Sequence, residues 1–443
     1  MTPIKIIVAL GALPFTLAAQ SPVTLTLGGA ARMAVQQSAA SAIARTRVDQ
    51  ADARVRQARS ALLPTVSASA GENERNQNTA TFGFAFRDPL GKPVFDPNGQ
   101  ILPAVKVLDF RGRAQASLVD FSVAAKLRSV RSQVTVAEAE ALGAGDQAGA
   151  LAAMAYVRAV RGDAALSARI ADSTLASELV VIANDQLKAG VGVALDVTRA
   201  RSQLAASRAQ LIAARNERDR ARLELRRVIG LDPSAELIFT DSLMALPVNV
   251  AVPSAEDATR AAVLRRADIR SADAQKLVAE RQVAATRLER FPSLGIFGDQ
   301  GAVGGAPGHL LNTYTWGLQV SVPVFDGFRR QGRVQEQRAQ VHEADVRRRD
   351  LEAQAAIDVR AALLDLGASR ELLAAAEERL TLAQQELEQS RERFKAGVSG
   401  NADVITASLG INAARTQMVD ARAAFQTARV TLARAQGAVA ELP

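Results

Sequence analysis

The chain holds two histidines, His309 and His342, and no cysteine. The histidines are far apart in sequence and read as surface residues rather than a metal site. Without cysteine there is no disulfide, no thiolate ligand and no lipidated N-terminal Cys. No nucleophile elbow, phosphate loop or metal-spaced carboxylate group occurs either. The residues therefore point to no enzyme, no cofactor and no metal. What remains is charge. The formal net charge is +8, mostly from Arg, which would suit nucleic acid. Here, however, the Arg residues alternate with Glu and Asp along helical patterns, and aromatics make up only 4 % of the chain. That reads as solvated helix faces, with no nucleic-acid partner.

Two acidic residues, Asp196 and Asp403, have surroundings that recur. Lys188-Ala189-Gly190-Val191 returns as Lys395-Ala396-Gly397-Val398, an offset of 207 residues. The same offset pairs Asp196-Val197 with Asp403-Val404, Ala200 with Ala407, Arg208 with Arg415, Leu225 with Leu432 and Gly230 with Gly437. Coiled-coil composition produces chance Ala and Arg matches, but not a Lys-Ala-Gly-Val turn followed by Asp-Val at a fixed distance. The pattern predicts an internal duplication: residues 1–19 as a secretory signal, 20–230 as a first repeat, 231–253 as a connector and 254–443 as a second repeat. In the signal, Lys5 precedes an apolar run too short for a comfortable span. An uncleaved anchor is the alternative.

Each repeat reads as helix, two strands, long helix, turn, helix. The first helix covers 27–62 and stops at Pro64; its counterpart starts at a capping box, Ser254 with Asp257, and reaches Arg290 before Pro292. Period-2 alternation follows at Val66, Ala68 and Ala70, at Phe82, Phe84 and Phe86, and at Leu108, Phe110, Ala114 and Ala116, with 88–103 as a loop. In the second repeat Leu294 and Ile296 alternate before a Gly-rich loop, 298–308. Tyr314, Trp316, Leu318, Val320, Val322 and Val324 then give the cleanest alternation in the chain. Asp120 is placed to cap the first long helix, in which Gly143, Gly145 and Gly149 could bend the axis. Both long helices should span about 100 Å at 1.5 Å per residue. In the second, Leu366, Leu373, Leu380, Leu387 and Phe394 fall seven apart, with small residues Ser369, Ala376, Ala383 and Ser390 three positions on, a coiled-coil seam that packs closely.

The alternating strands carry one apolar face, and the helices are too long to fold back over so few strands. Lipid is the better cover, with Tyr314 and Trp316 as membrane-interface aromatics and Asp109, Arg111 and Gln319 facing a wet lumen. Four strands cannot close a barrel, so several copies must share one. The fold class is thus mainly α with a membrane β-barrel: a long coiled-coil α-helical tunnel plus four β-strands per chain. The turns 188–195 and 395–402 are the Gly-bearing breaks at the far ends of the long helices. Lys188, Gly190, Val191, Gly192, Lys395, Gly397, Val398 and Ser399 could seat a partner's helix hairpin there, or the glycines could serve the turns alone.

These residues resemble the TolC-like outer-membrane efflux proteins over nearly all of the chain. The resemblance is carried by Leu63-Pro64 and Phe291-Pro292 before strands, by Val324-Phe325-Asp326-Gly327 after them, and by the two Lys-Ala-Gly turns each followed by Asp-Val. It implies a homotrimer with a twelve-stranded barrel in the outer membrane of a Gram-negative bacterium and a helical tunnel through the periplasm. It also implies docking to a periplasmic adaptor protein and an inner-membrane pump, as the passive exit duct of tripartite efflux or type I secretion. In that family acids after the turn narrow the tunnel mouth, and Asp196 and Asp403 occupy those positions. The family's further Arg and acid are replaced here by Ser399 and Thr406. Helix N-capping is the compatible alternative for both Asp residues. A periplasmic adaptor with coiled-coil hairpins is the contrasting function, although adaptors carry a lipoyl-like module between hairpin arms that this chain lacks.

Overall fold

Prolines and caps set where the elements begin. In a computed structural model describing residues 22–83, 87–96, 98–249, 251–396 and 398–443, the chain runs β1 (Val23–Leu25), α1 (Leu27–Gln37), α2 (Ala39–Ser60), β2 (Thr65–Asn78), β3 (Ile101–Val119), α3 (Phe121–Lys188), α4 (Ala194–Ile229), β4 (Leu237–Phe239), α5 (Ala255–Arg265), α6 (Ala267–Leu288), β5 (Ser293–Gly304), β6 (Leu311–Ser321), α7 (Arg329–Lys395) and α8 (Asn401–Ala435). The expected signal, Phe84, Phe86 and Gly397 lie outside the described residues. Asp120 caps α3 as expected, its Oδ1 accepting the N–H groups of Ser122 and Val123 at 2.9 and 3.1 Å. The Ser254 hydroxyl accepts from the Asp257 N–H at 3.1 Å and caps α5.

The contacts divide the chain into two compact units, each drawing on both halves of the sequence. One comprises residues up to Ala44, Ala141–Ala267 and Glu352–Pro443; the other comprises Arg45–Glu140 and Asp268–Leu351.

The first unit is helical. Its core gathers Leu25, Leu27, Tyr156, Val157, Val160, Leu225, Ile229 and Val430 around a run of buried alanines on α3. Each fully buried Leu or Val contributes about 1.5–3 kcal/mol. The Tyr156 hydroxyl donates to the Leu25 carbonyl at 3.2 Å, and its ring meets Phe239 edge-on at 5.3 Å. Burial, and then the nearby Asp241, push its pKa up to about 12. The glycines expected to bend α3 do not interrupt it. A Cβ on Gly149 would lie 3.2 Å from both Val35 and Val439, and one on Gly145 would lie 3.3 Å from Val35, so these positions admit neighbouring side chains.

The first helix of each half is broken where one continuous helix was expected. Ser38 (ψ 148°) separates α1 from α2, and Arg266 (ψ 128°) separates α5 from α6. Ser38 caps α2, its hydroxyl accepting the Ser41 N–H at 3.2 Å, and glycines from elsewhere in the chain pack against both breaks. Gly230, which ends α4 at φ +77°, would bring a Cβ within 2.8 Å of the Gln37 carbonyl, while Gly437 (φ +67°) would bring one within 3.2 Å of Arg265 and Arg266. In each half a left-handed glycine at the end of the last helix seats against the break between the first two.

The second unit holds a four-stranded antiparallel sheet in the order β2-β3-β5-β6, with α2, α6 and the adjoining parts of α3 and α7. The strand limits differ from expectation in three places. Phe82 ends a 3₁₀ turn rather than opening a strand. β3 begins at Ile101, inside the expected loop, and Pro103 is accommodated at a register shift where a ladder bond is already lost. The glycines of 298–304 lie within β5, not in a loop. There a Cβ on Gly301 would collide with the Phe110 carbonyl and one on Gly304 with the His309 carbonyl, so these glycines permit close strand approach. On the helices, Lys276 pairs with Asp345 at 2.7 Å and Arg333 with Glu289 at 2.7 Å, tying α6 to α7.

Candidate functional site: paired helix turns and a two-faced sheet

The turn between α3 and α4 is built by Gly190. At φ +75° it takes the left-handed conformation that ends a helix, and the N–H groups of Val191 and Gly192 both reach the Gln186 carbonyl at 3.0 Å. A Cβ on Gly192 would press within 3.0 Å of Gln186, so both glycines are accounted for by the turn itself. Gly400, at φ −79° with open space around it, is not. Val191 and Val398 project into solvent, 79 % and 71 % exposed.

Neither Asp caps a helix. Val193 and Gly400 occupy the cap positions without any side-chain bond, and Asp196 and Asp403 sit three residues further on, in the first turns of α4 and α8. There each carboxylate favours the positive end of its helix. The two differ in surroundings. Asp196 is half-buried and 3.8 Å from Arg199, whereas Asp403 is exposed and has no ion-pair partner among the described residues. The turns are drawn together by residues the repeat did not single out. Asn401, only 1 % exposed, donates from Nδ2 to the Asp196 carbonyl at 3.0 Å, and Gln186 reaches the Phe394 carbonyl at 3.4 Å. Beneath them Leu175, Leu179, Leu387, Phe394, Val404 and Ile411 form an apolar plug.

Further along α3, Asp172 is 1 % exposed and takes Arg169 at 3.1 Å and Arg415 of α8 at 2.9 Å. It occupies a seam position among Ala176, Leu179 and Ala183, and a charge in an apolar seam is the signal that could have revealed it. Arg161 bridges Asp420 of α8 at 2.8 Å and Glu217 of α4 at 3.0 Å. Burial lowers its pKa, but the hydrogen bonds with Asp420 and then Glu217 outweigh burial and raise it.

The sheet is two-faced. Its register lines up Val66, Ala114, Gly298 and Trp316, then Ala116, Ile296 and Leu318, then Leu294 and Val320, on one face, with Tyr314 on the same side. Val66, Trp316, Tyr314, Leu318 and Val320 are all exposed. The other face carries Ser67, Arg113, Asp299 and Thr315, with Ser69, Arg111 and Thr313 beside them and Gln319 near the far end. Arg111 links strands there, bonding Asp299, Asp109 at 3.2 Å and Thr313 at 3.3 Å. Asp109, Arg111 and Gln319 therefore share the polar face, as expected for a lumen. Both outer strands, β2 and β6, have one edge without a partner among the described residues. Among the described residues no helix is long and apolar enough to cross a membrane.

An alternating sheet with one apolar and one ion-paired face, joined to helices of 68 and 67 residues, defines a barrel-and-tunnel membrane channel. The chain belongs to the outer membrane efflux protein family, whose model matches residues 30–231 and 259–438. It is similar to Protein CyaE of Bordetella pertussis, at 26 % identity over 88 % of this chain and 79 % of that protein. Its fold is that of the outer membrane protein VceC of Vibrio cholerae, with a TM-score of 0.72, 19 % identity and coverage of 93 % of this chain and 96 % of that one. The Neisseria gonorrhoeae MtrE outer membrane channel in its open state gives a TM-score of 0.73 at 19 % identity, covering 93 % and 88 %. The protein is an outer-membrane channel for efflux or secretion that extends into the periplasm, and the adaptor reading is set aside.

Proposed function

We propose that three copies close one twelve-stranded barrel and that the protein is a passive duct without catalytic activity, formed from two structural repeats, 20–230 and 254–443, joined by 231–253, after removal of 1–19. The observation that carries this is the pair of open edges, β2 and β6, on a sheet whose apolar face is bare. Unpaired backbone groups in hydrocarbon cost several kcal/mol each, so the edges must meet other copies. The family match in two stretches supports the repeat reading.

At the turns, threefold symmetry makes Asp196 and Asp403 two rings of carboxylates that favour cations. The exposed Val191 and Val398, flanked by Lys188, Gly190, Gly192, Lys395, Gly397 and Ser399, form the surface for a periplasmic adaptor that connects the duct to an inner-membrane pump. Because the chain lacks cysteine, Ser69→Cys on β2 combined with Thr313→Cys on β6 gives a clean crosslinking test in detergent. Oxidised protein should run as dimer and trimer and nothing larger. A protein that stays monomeric and remains soluble without detergent would sink the reading.

A further inference from the structure

On β6, the strand that leads into α7, the apolar stripe is short for the membrane it must cross. From Tyr314 to Val320, at about 3.4 Å per residue and a tilt of about 40°, β6 offers about 16 Å of depth, against the apolar band of about 25 Å that outer-membrane barrels show. The apolar alternation does not stop there. Val322, Val324 and Phe325 follow, all exposed, then Phe328, also exposed and held at φ +63° after Gly327. Phe325 and Phe328 meet edge-on at 5.6 Å, and Phe121 and Phe291, where α3 and β5 begin, do so at 6.1 Å. Four phenylalanines thus mark the junction between sheet and helices, each at least 41 % exposed.

Arginines crowd the same junction. Arg330 is held by Asp326 at 3.5 Å and Arg333 by Glu289 at 2.7 Å. Arg287, Arg290 and Arg329 have no carboxylate partner among the described residues, and the Arg290 guanidinium lies over the Phe291 ring at 5.0 Å. Apolar rings below unpaired guanidinium groups match the boundary between acyl chains and anionic headgroups.

We propose that this junction is a phospholipid-binding collar. Phe121, Phe291, Phe325 and Phe328 insert at the acyl boundary of the periplasmic leaflet, and Arg290 and Arg329 bind the phosphates of anionic phospholipids. The proposal rests on the outer-membrane barrel reading and deepens it by placing the membrane's periplasmic limit at 325–329. Continuity with the lipid-facing side of β6, together with the excess of arginine, selects lipid over a second copy of the chain as the occupant.

The single tryptophan of the chain, Trp316, makes a test that separates the two readings. Full-length protein is reconstituted into phosphatidylcholine vesicles carrying an equal fraction of either brominated phosphatidylcholine or brominated phosphatidylglycerol. Native Trp316 reports the barrel. Trp316→Phe with Phe325→Trp reports the collar, and Phe328→Trp in the same background is a second reporter should the first fail to fold. Both sites should be quenched by brominated lipid. The collar should be quenched about threefold more strongly by the phosphatidylglycerol, and Arg290→Gln with Arg329→Gln should erase that preference. Quenching at Trp316 but not at the collar overturns the collar and leaves the barrel standing; quenching at neither overturns the barrel. Equal quenching by the two lipids overturns the anionic site. A collar tryptophan shielded from both lipid and aqueous iodide would show that a neighbouring copy covers it, which also overturns the proposal.

Discussion

Helices α4 and α8 follow equivalent turns, match at the 207-residue offset, and end at equivalent glycines, yet the chain treats them differently. α8 buries eighteen of its residues and α4 five. The two agree at each end, where Val197 and Val404, Ala200 and Ala407, and Leu225 and Leu432 are all buried. Between those ends they diverge. Ile212, Arg218 and Leu223 of α4 are intermediate or exposed, while their counterparts Val419, Phe425 and Val430 are core. Buried Arg429, its pKa lowered by burial, bonds Gln426 at 2.7 Å and the Pro247 carbonyl at 3.1 Å, whereas its counterpart Arg222 pairs with Asp163 at 2.8 Å. One member of the duplicated pair became the interior of the chain. The other kept apolar residues, Ile212 and Leu223 among them, on a face that none of the described residues covers.

The difference can be broken at its centre. Asp172→Ala leaves the partly buried Arg169 and Arg415 without their shared carboxylate, and it should cost about 3 kcal/mol, read as a lowered thermal midpoint of the detergent-solubilised protein. Replacement of both Asp172 and Arg415 by apolar residues of similar size should restore most of that loss; if it does not, the cluster does more than hold α3 to α8.

The contrast sharpens with a matched pair. Phe425→Ala should destabilise by about 3–5 kcal/mol, as large-to-small core changes do, whereas Arg218→Ala at the equivalent position of α4 should stay within about 0.5 kcal/mol. Similar effects in chemical denaturation would mean that α4 is as central as α8.

A charge on the uncovered face should act on assembly rather than on folding. Ile212→Asp with Leu223→Asp should keep the helical circular dichroism signal but shift the detergent-solubilised protein from trimer towards monomer by about tenfold, the factor for roughly 1.4 kcal/mol. Analytical ultracentrifugation reads this directly, and an unchanged trimer would assign α4's bare face to the lumen instead.

The smallest effect belongs to the turns. Asp403, exposed and without an ion-pair partner among the described residues, should govern cation selectivity in planar bilayers more than Asp196, which Arg199 partly neutralises. Asp403→Ala should change the reversal potential measurably, Asp196→Ala less, and Glu386→Ala on the body of α7 least. Equal responses would leave both turn carboxylates with only their favourable position at a helix start, a few tenths of a kcal/mol each.

Much of this was legible in the chain because it depends on local spacing. The β6 alternation, the α7 heptads and the Lys-Ala-Gly turns each repeat at a period the backbone dictates, 2, 3.5 or a fixed loop. Leu366, Ser369, Leu373, Ala376, Ala383, Leu387 and Phe394 are buried as the heptads require, and Asp109, Arg111 and Gln319 share the polar face that the alternation assigned them. The glycine-bearing β5 was not legible, because its glycines are justified only by the Phe110 and His309 carbonyls beside them. Nor could spacing place the Asp residues, since the cap position depends on where the turn ends and not on residue type.

The sequence by itself determined the element types, the duplicated order and the absence of cysteine chemistry, since periodicity, caps and composition act over a few residues. Only the tertiary structure decided that Gly230 and Gly437 seat against breaks at Ser38 and Arg266, that Asp172 joins α3 to α8, and that α8 rather than α4 fills the core. Those outcomes depend on which surfaces meet across some 200 residues of chain, and two near-copies of one pattern carry the same local signal wherever they pack.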